Sequence, residues 1–243
     1  MSVPFLSIII PAHNEENRLP KTLRELDGFL VKQTYSTEIV IIENGSSDHT
    51  LQIARSFEGH LPGLRVFHED QSGKGRAVQR GMLESHGEYR FFCDVDFSMP
   101  IPEINRFIPP LLEGVDVAIA SREAKGAIRY NEPLQRHLAG RVFNSLVRLS
   151  ALPGLQDTQC GFKCFRAPVA EEIFKRQSMM GWSFDVEVLF MAQHWGYRIL
   201  EVPIPWYFNS QSRVHLLRDA WHMVLDIATI RWNNRHGHYD RQI

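Results

Sequence analysis

Tyr89–Asp96 reads YRFFCDVD, an apolar and aromatic run from Tyr89 to Cys93 that passes at once into two aspartates one residue apart. A short run of this composition, closed by a polar turn, is a buried strand. Leu6–Ile10 (LSIII), Glu38–Ile42 (EIVII), Leu64–Phe67 and Val115–Ala120 (VDVAIA) have the same character. Between them, Arg18–Val31 places Leu19, Leu23, Leu26 and Leu30 at three- and four-residue steps, the face of a helix. Asp48–Phe57 opens on an acidic N-cap candidate, and Gly75–Ser85 reads as a further helix. Strands alternating with helices predict an α/β protein whose sheet is largely parallel and covered on both faces. Ligands of such sheets sit beyond the carboxyl ends of the strands, so the residues just after each strand are where chemistry is sought.

Those residues are polar after four successive strands. Pro11-Ala12-His13-Asn14-Glu15 follows the first, and Glu43-Asn44-Gly45-Ser46-Ser47-Asp48 the second. Glu69 to Gly75 (EDQSGKG) follows the third, and Asp94-Val95-Asp96 the fourth. A single acid at a strand end is commonplace, whereas four neighbouring polar clusters predict a cleft. The second half is less regular, with a helix expected over Leu134–Leu149 and strands over Gly161–Phe165 and Ile199–Pro203. With no repeat and no low-complexity linker, the organisation expected is one catalytic domain over 1–211 and a helical extension over 212–243.

Composition narrows the class. The chain has 243 residues, 44% hydrophobic and 23% charged, enough to bury one large core. A net charge of −1 argues against nucleic acid as a partner. Cys93, Cys160 and Cys164 cannot all pair, and the four-residue spacing of the last two lacks a second ligand pair for zinc. Reduced thiols packed as small apolar groups, in a cytoplasmic setting, are the expectation. The first residues, MSVPFLSIIIPAHNEE, lack the basic start of a signal peptide. No stretch approaches the roughly 20 apolar residues that span a bilayer.

Asp94 and Asp96 leave the fourth strand at i and i+2, so both carboxylates can meet one ligand. Carboxylates suit Mg2+ or Mn2+, which keep several waters and take further oxygens from phosphates. By itself the pair reads first as two solvated turn acids, and only its context favours a metal. No GxGxxG follows the first strand, and Gly73-Lys74-Gly75 fails the P-loop pattern. A lysine between glycines can still approach a phosphate, with the amides of the following helix adding to the field; the alternative is a flexible turn.

Taken together, PAHNEE, ENGSSDHT, SGKGRA and DVD, in this order, resemble family-two GT-A glycosyltransferases. ASRE at Ala120–Glu123, DTQCGFKCF at Asp157–Phe165, WSFDVEVLF at Trp182–Phe190 and EVPIPW at Glu201–Trp206 are similar to dolichyl-phosphate beta-glucosyltransferases and polyprenyl-phosphate relatives. The resemblance covers roughly residues 5 to 232. It implies a GT-A fold and transfer of a hexose, glucose from UDP-glucose, to a polyprenyl or dolichyl phosphate. It places Pro11, His13, Glu15, Glu43 and Asn44 about the nucleoside, Lys74 near the donor phosphates, Asp94 near sugar and metal, and Asp96 as principal metal ligand. Two departures bear on the base: relatives often have an acidic pair at Glu43-Asn44 and a tyrosine at His13.

A lipid monophosphate needs no general base, because its second pKa of about 6 leaves it largely dianionic at neutral pH. It needs cations instead. Arg122 and Arg136 match arginines of the relatives, Arg213 resembles a basic position in their C-terminal loop, and Arg129 is added by proximity. Attack of the phosphate oxygen on the anomeric carbon inverts it, giving a beta-linked product. Were the acceptor a hydroxyl, Asp185 would be the first choice as base, and Asp157 and Asp185 otherwise read as loop braces. A third reading is a non-catalytic sugar-nucleotide-binding module. In Val214–Trp232, Val214, Leu217, Trp221, Val224, Leu225 and Ala228 fall on one face. Closing the core is the first reading of that face. Lying peripherally on the cytoplasmic surface of a membrane is the second.

Overall fold

The structure, a computed structural model, describes residues 3–209 and 216–241; for 135–136, 139, 142–143, 146 and 216–223 it describes the backbone alone. The chain runs β1 (Leu6–Ala12), α1 (Leu19–Leu30), β2 (Thr37–Asn44), α2 (Thr50–Ser56), β3 (Leu64–Glu69), α3 (Lys74–Glu84) and β4 (Tyr89–Cys93). A 3-10 turn over Ile101–Phe107 precedes β5 (Val117–Ser121), β6 (Ile128–Tyr130) and α4 (Leu134–Ser150). Then follow β7 (Phe162–Arg166), α5 (Ala167–Arg176), α6 (Phe184–His194), β8 (Ile199–Pro203), β9 (Pro205–Tyr207) and α7 (Leu216–Arg235).

Seven strands form one sheet in the order β3-β2-β1-β4-β7-β5-β8. Every neighbouring pair is parallel except those made by β7, which runs antiparallel to β4 and β5. The expected α/β class, with a mostly parallel sheet, is what forms. The strands are apolar on both faces because both are covered. Within β1, Ile8 and Ile10 join the core under α1, while Ile9 joins the core under α3, α5 and α6. The reversal of β7 has a consequence for the site. Its amino end lies at the edge where the parallel strands finish, so the segment 157–161 arrives beside Asp94: Asp94 N–H donates to the Gly161 carbonyl at 3.1 Å.

Helix α6 escaped the periodicity reading for a physical reason. Phe184, Asp185, Val186, Glu187, Val188 and Leu189 are all buried, so no polar face marks the 3.6-residue repeat. The short parallel ribbon of β6 with β9 was likewise not expected. On α7 the expected face is described only in part, since Val214 and the side chains of Leu217 and Trp221 lie outside the described residues. Ile227 and Ile230 close the core, whereas Val224, Leu225 and Ala228 point outward with Trp232.

Candidate functional site

At the ends of β1 and β2 the polar residues fasten to one another. His13 Nδ1 lies 2.6 Å from the Asn44 carbonyl, and Arg18 donates to both carboxylate oxygens of Glu15 at 2.5 and 2.6 Å. Pro11 and Ala12 are the last two residues of β1. Glu43, buried, accepts from Ser46 N–H at 2.5 Å and pairs with His68 Nδ1 at 2.5 Å. Asn44 uses both ends of its amide on the next loop, donating to the Gln71 carbonyl and accepting from Gly73 N–H, each at 2.7 Å. Gly73 needs its glycine identity: its φ is +154°, and a Cβ there would stand 2.5 Å from the Met180 carbonyl oxygen.

This loop delivers Lys74, whose ammonium is 2.7 Å from Asp94 Oδ1. Burial works against the charge on Lys74, but Asp94, Asp185 and Asp96 together hold its pKa above the usual lysine range. The expectation that the α3 amides add to a phosphate site is corrected at two positions. Gly75 N–H and Arg76 N–H donate to the carbonyls of Gly181 and Met180, each at 3.2 Å, so the segment 178–183 caps the helix. The other Asp94 oxygen rests against Gly161, where a Cβ would sit 2.0 Å from Oδ2.

Beneath Asp94, Lys163 is fully buried and donates to Asp185 Oδ1 at 2.5 Å and to the Cys160 carbonyl at 2.7 Å. Burial raises the Asp185 carboxyl above its usual range, more than the lysine charges of Lys163 and Lys74 lower it. Asp185 is thus an internal partner of Lys163. Lys163 was not singled out from the sequence, although a lysine amid the apolar strand FKCF is a signal, since lysine is almost never fully buried unpaired.

Beyond β7, Arg122 grips Asp157 with Nε and Nη2 at 2.6 and 2.8 Å and adds its backbone N–H at 2.9 Å. Burial alone would raise the Asp157 carboxyl; the Arg122 guanidinium overrides it and holds the group low. The amides of Gln156 and Asp157 both donate to Glu201 on β8, at 2.9 Å each. Arg129 pairs with Glu123 at 2.5 Å and Glu132 at 2.6 Å. Both guanidinium groups lie over the Trp206 ring, at 5.4 and 5.8 Å. Arg122 and Arg129 are therefore brought together around one indole. The Arg136 side chain and all of Arg213 lie outside the described residues.

Asp94 and Asp96 offer carboxylates of the kind that suit a divalent cation, with Asp94 Oδ1 paired to Lys74. Burial raises the Asp96 carboxyl and the Asp94 charge raises it further. One Asp96 oxygen is turned by the Ser98 N–H at 3.1 Å. Among the described residues no cluster of three acidic, histidine or cysteine side chains forms. Two carboxylates with the remaining oxygens from phosphate and water is the pattern of Mg2+ or Mn2+ sites rather than of closed protein cages.

Comparison with known proteins agrees with this geometry. The profile of glycosyl transferase family 2 matches residues 7–174. Dolichyl-phosphate beta-glucosyltransferase of Dictyostelium discoideum is 32% identical over 94% of this chain and 74% of its own length. The Saccharomyces cerevisiae protein of that name is 30% identical over 93% and 74%. Among solved structures, glucosyl-3-phosphoglycerate synthase from Mycobacterium tuberculosis, in complex with Mn2+, UDP-glucose and phosphoglyceric acid, superposes with a TM-score of 0.65. It covers 96% of this chain and 80% of its own at 18% identity, a likeness of GT-A fold.

Proposed function

Because the chain belongs to glycosyl transferase family 2, we propose that it is an inverting enzyme that carries glucose from UDP-glucose to the phosphate of a dolichyl or polyprenyl lipid. That it is a glycosyltransferase follows from the family; the donor, the acceptor and the roles of single residues are proposed.

One observation carries the choice of acceptor. Asp185, the carboxylate that a hydroxyl acceptor would need as base, is buried under Lys163, while Arg122 and Arg129 meet around Trp206. A site built with arginines and without a free base at that position suits an acceptor that arrives already ionised. The acceptor oxygen attacks the anomeric carbon, the bond to the donor diphosphate breaks, and the configuration inverts. Arg122 and Arg129 screen the acceptor charge from the donor, and the ion pairs to Asp157, Glu123 and Glu132 hold them in place. Lys74, set against Asp94, stands ready for the donor phosphates. Asp94 and Asp96 would hold Mg2+ or Mn2+, whose charge offsets that growing on the departing diphosphate. Pro11, His13 and Glu15 frame the nucleoside with Glu43 and Asn44.

The amphiphile also needs an apolar exit. On the β6–β9 ribbon, Arg129 pairs in register with Trp206, and the next pair, Tyr130 with Tyr207, alternates to the opposite face. Those tyrosine rings stack at 4.5 Å and are partly exposed, with Ile128 beside them. Further out, α4 sets Leu134, Leu138 and Leu149 on one exposed stripe with Arg141 and Arg148. On α7, exposed Val224, Leu225 and Trp232 share a stripe with Arg231 and Arg235. No helix among the described residues is long and apolar enough to cross a membrane. Apolar stripes edged with arginine suit peripheral docking on the anionic cytoplasmic surface of a bilayer. The extension over 212–243 would then serve as the membrane-facing part of the enzyme.

The decisive experiment incubates sugar-labelled UDP-glucose with polyprenyl phosphate in detergent and Mn2+. Label is expected in a butanol-extractable lipid. Label found only in water-soluble product, on a panel of sugar acceptors, would overturn the acceptor assignment.

A further inference from the structure

The segment 178–183 (SMMGWS) sits between α5 and α6 and meets the donor end of the site through its backbone. Its Met180 and Gly181 carbonyls take the α3 amides of Arg76 and Gly75, as described above. Its Met179 carbonyl would be 2.6 Å from a Cβ at Gly75, so the contact leaves no slack. Gln177 ties the two together, donating from one amide nitrogen to the Gly75 carbonyl at 2.9 Å and the Met179 carbonyl at 2.8 Å. Trp182, half exposed, presents its ring 5.2 Å from the Lys74 ammonium. The position of Lys74 is therefore set by this segment.

The segment in turn is held from the far end of the chain. Glu187, fully buried on α6, accepts from Ser178 N–H and Oγ–H and from Met179 N–H, at distances between 2.5 and 3.1 Å. Its remaining donor is the Tyr239 hydroxyl, 2.8 Å away and also buried. At the other end of the segment, Ser183 Oγ–H donates to Asp226 of α7 at 2.5 Å. The tail bearing Tyr239 is itself pinned: the Trp195 indole donates to the Tyr239 carbonyl at 2.7 Å, and Arg241 pairs with Glu172 at 2.8 Å.

We propose that α7 and the tail behind it form a brace for donor binding, with Tyr239 and Asp226 as positioning residues that act through the 178–183 segment on Lys74. Neither touches substrate. Buried hydrogen bonds to a carboxylate are worth more than ordinary ones, and a carboxylate left short of a donor pulls its other partners out of place. The brace makes the donor site depend on a docked α7, the same helix that exposes Val224, Leu225 and Trp232. This inference rests on the assignment of Lys74 to the donor phosphates, and the experiment separates the two.

Tyr239→Phe keeps the ring and removes the hydroxyl; Asp226→Ala removes the second anchor and Asp226→Asn keeps an acceptor. Hydrogen exchange of the full chain reads the brace directly: amides at 73–76 and 178–183 are expected to lose protection in Tyr239→Phe and Asp226→Ala and recover it in Asp226→Asn. UDP affinity by calorimetry is expected to fall about tenfold in the first two, the scale of one charge-assisted hydrogen bond. The KM for polyprenyl phosphate is expected to stay as in the wild type. Unchanged protection overturns the brace, whatever Lys74 does. Unchanged UDP affinity in both variants, while Lys74→Ala loses it, overturns the link to the donor site; unchanged affinity in Lys74→Ala overturns the lysine assignment on which that link depends.

Discussion

The donor side and the acceptor side of the cleft are built in different ways. On the donor side, Ala12, Asn44, Glu69 and Cys93 are the last residues of parallel strands, and each hands its polar successors directly to the same edge. A continuous run of sequence supplies strand and ligand together. On the acceptor side, the cations stand where acids hold them: distant Asp157 on Arg122, with Glu201 beneath Asp157, and the nearby Glu123 and Glu132 on Arg129. The donor groups start from strand ends and are then trimmed by local pairs such as Lys74 with Asp94, whereas Arg122 depends on a buried acid from 35 residues away. Damage to the acceptor side should therefore reach the fold, and damage to the donor side should stay with the chemistry.

The largest effect tests the first half of that statement. Asp157 is fully buried and carries the guanidinium of Arg122. Asp157→Ala leaves that cation unpaired and is expected to lower the unfolding free energy by about 3–5 kcal/mol, read by urea denaturation. A loss no greater than that of a surface substitution would break the comparison. On the donor side, Asp96→Ala is expected to lower kcat about 10²–10³-fold, the scale of removing one preorganised electrostatic contact, with the urea midpoint little changed. Full activity there would reject the metal assignment.

The same contrast explains what the sequence made legible. Parallel strands covered on both faces read as apolar runs, and their ends follow automatically, so the sequence alone puts Glu43, Lys74, Asp94 and Asp96 at or just beyond the ends of β2 to β4. Arg122 was found through a motif resemblance, but its partner Asp157 lies 35 residues away, a distance that no periodicity spans. Asp185 looked like an available acid because its sequence gives no sign that Lys163 occupies it. Glu187 was hidden in the same way, inside a helix that is buried all round. On α7, Val224, Leu225 and Ala228 of the expected face point outward, and the core is met instead by Ile227 and Ile230, which the apolar pattern does not distinguish.

A smaller effect is expected where the two sides touch. Gly161 begins the acceptor-side return and lies against the donor-side carboxylate of Asp94. Gly161→Ala must turn that carboxylate and so disturb its 2.7 Å contact with Lys74. Mn2+ affinity in the presence of UDP is expected to weaken about tenfold, equivalent to one modest contact. Calorimetric titration of Mn2+ measures it, and an unaltered isotherm would mean that Asp94 is not held by its neighbour across the sheet.

The smallest effect belongs wholly to the donor side and concerns pH. His68 on β3 places Nδ1 on Glu43 and Nε2 on Asp70, at 2.5 and 2.9 Å. The hydrogen bond to Glu43 is the main cause that raises its pKa, burial opposes it, and the Glu43 charge and Asp70 add to the rise. The folded state therefore binds the histidine proton more tightly than the unfolded state does. The stabilisation is fully present below the ordinary histidine value of about 6.5 and is lost as pH climbs through the raised folded value. Since the ring is partly exposed, solvent screens the pair and the contribution is small. In urea titrations, wild type is expected to exceed His68→Gln most at mildly acidic pH, with the two curves converging toward alkaline pH. A gap that widens as pH rises would show that neutral His68 is the form the fold prefers, and the pairing with Glu43 would then be an ordinary neutral hydrogen bond.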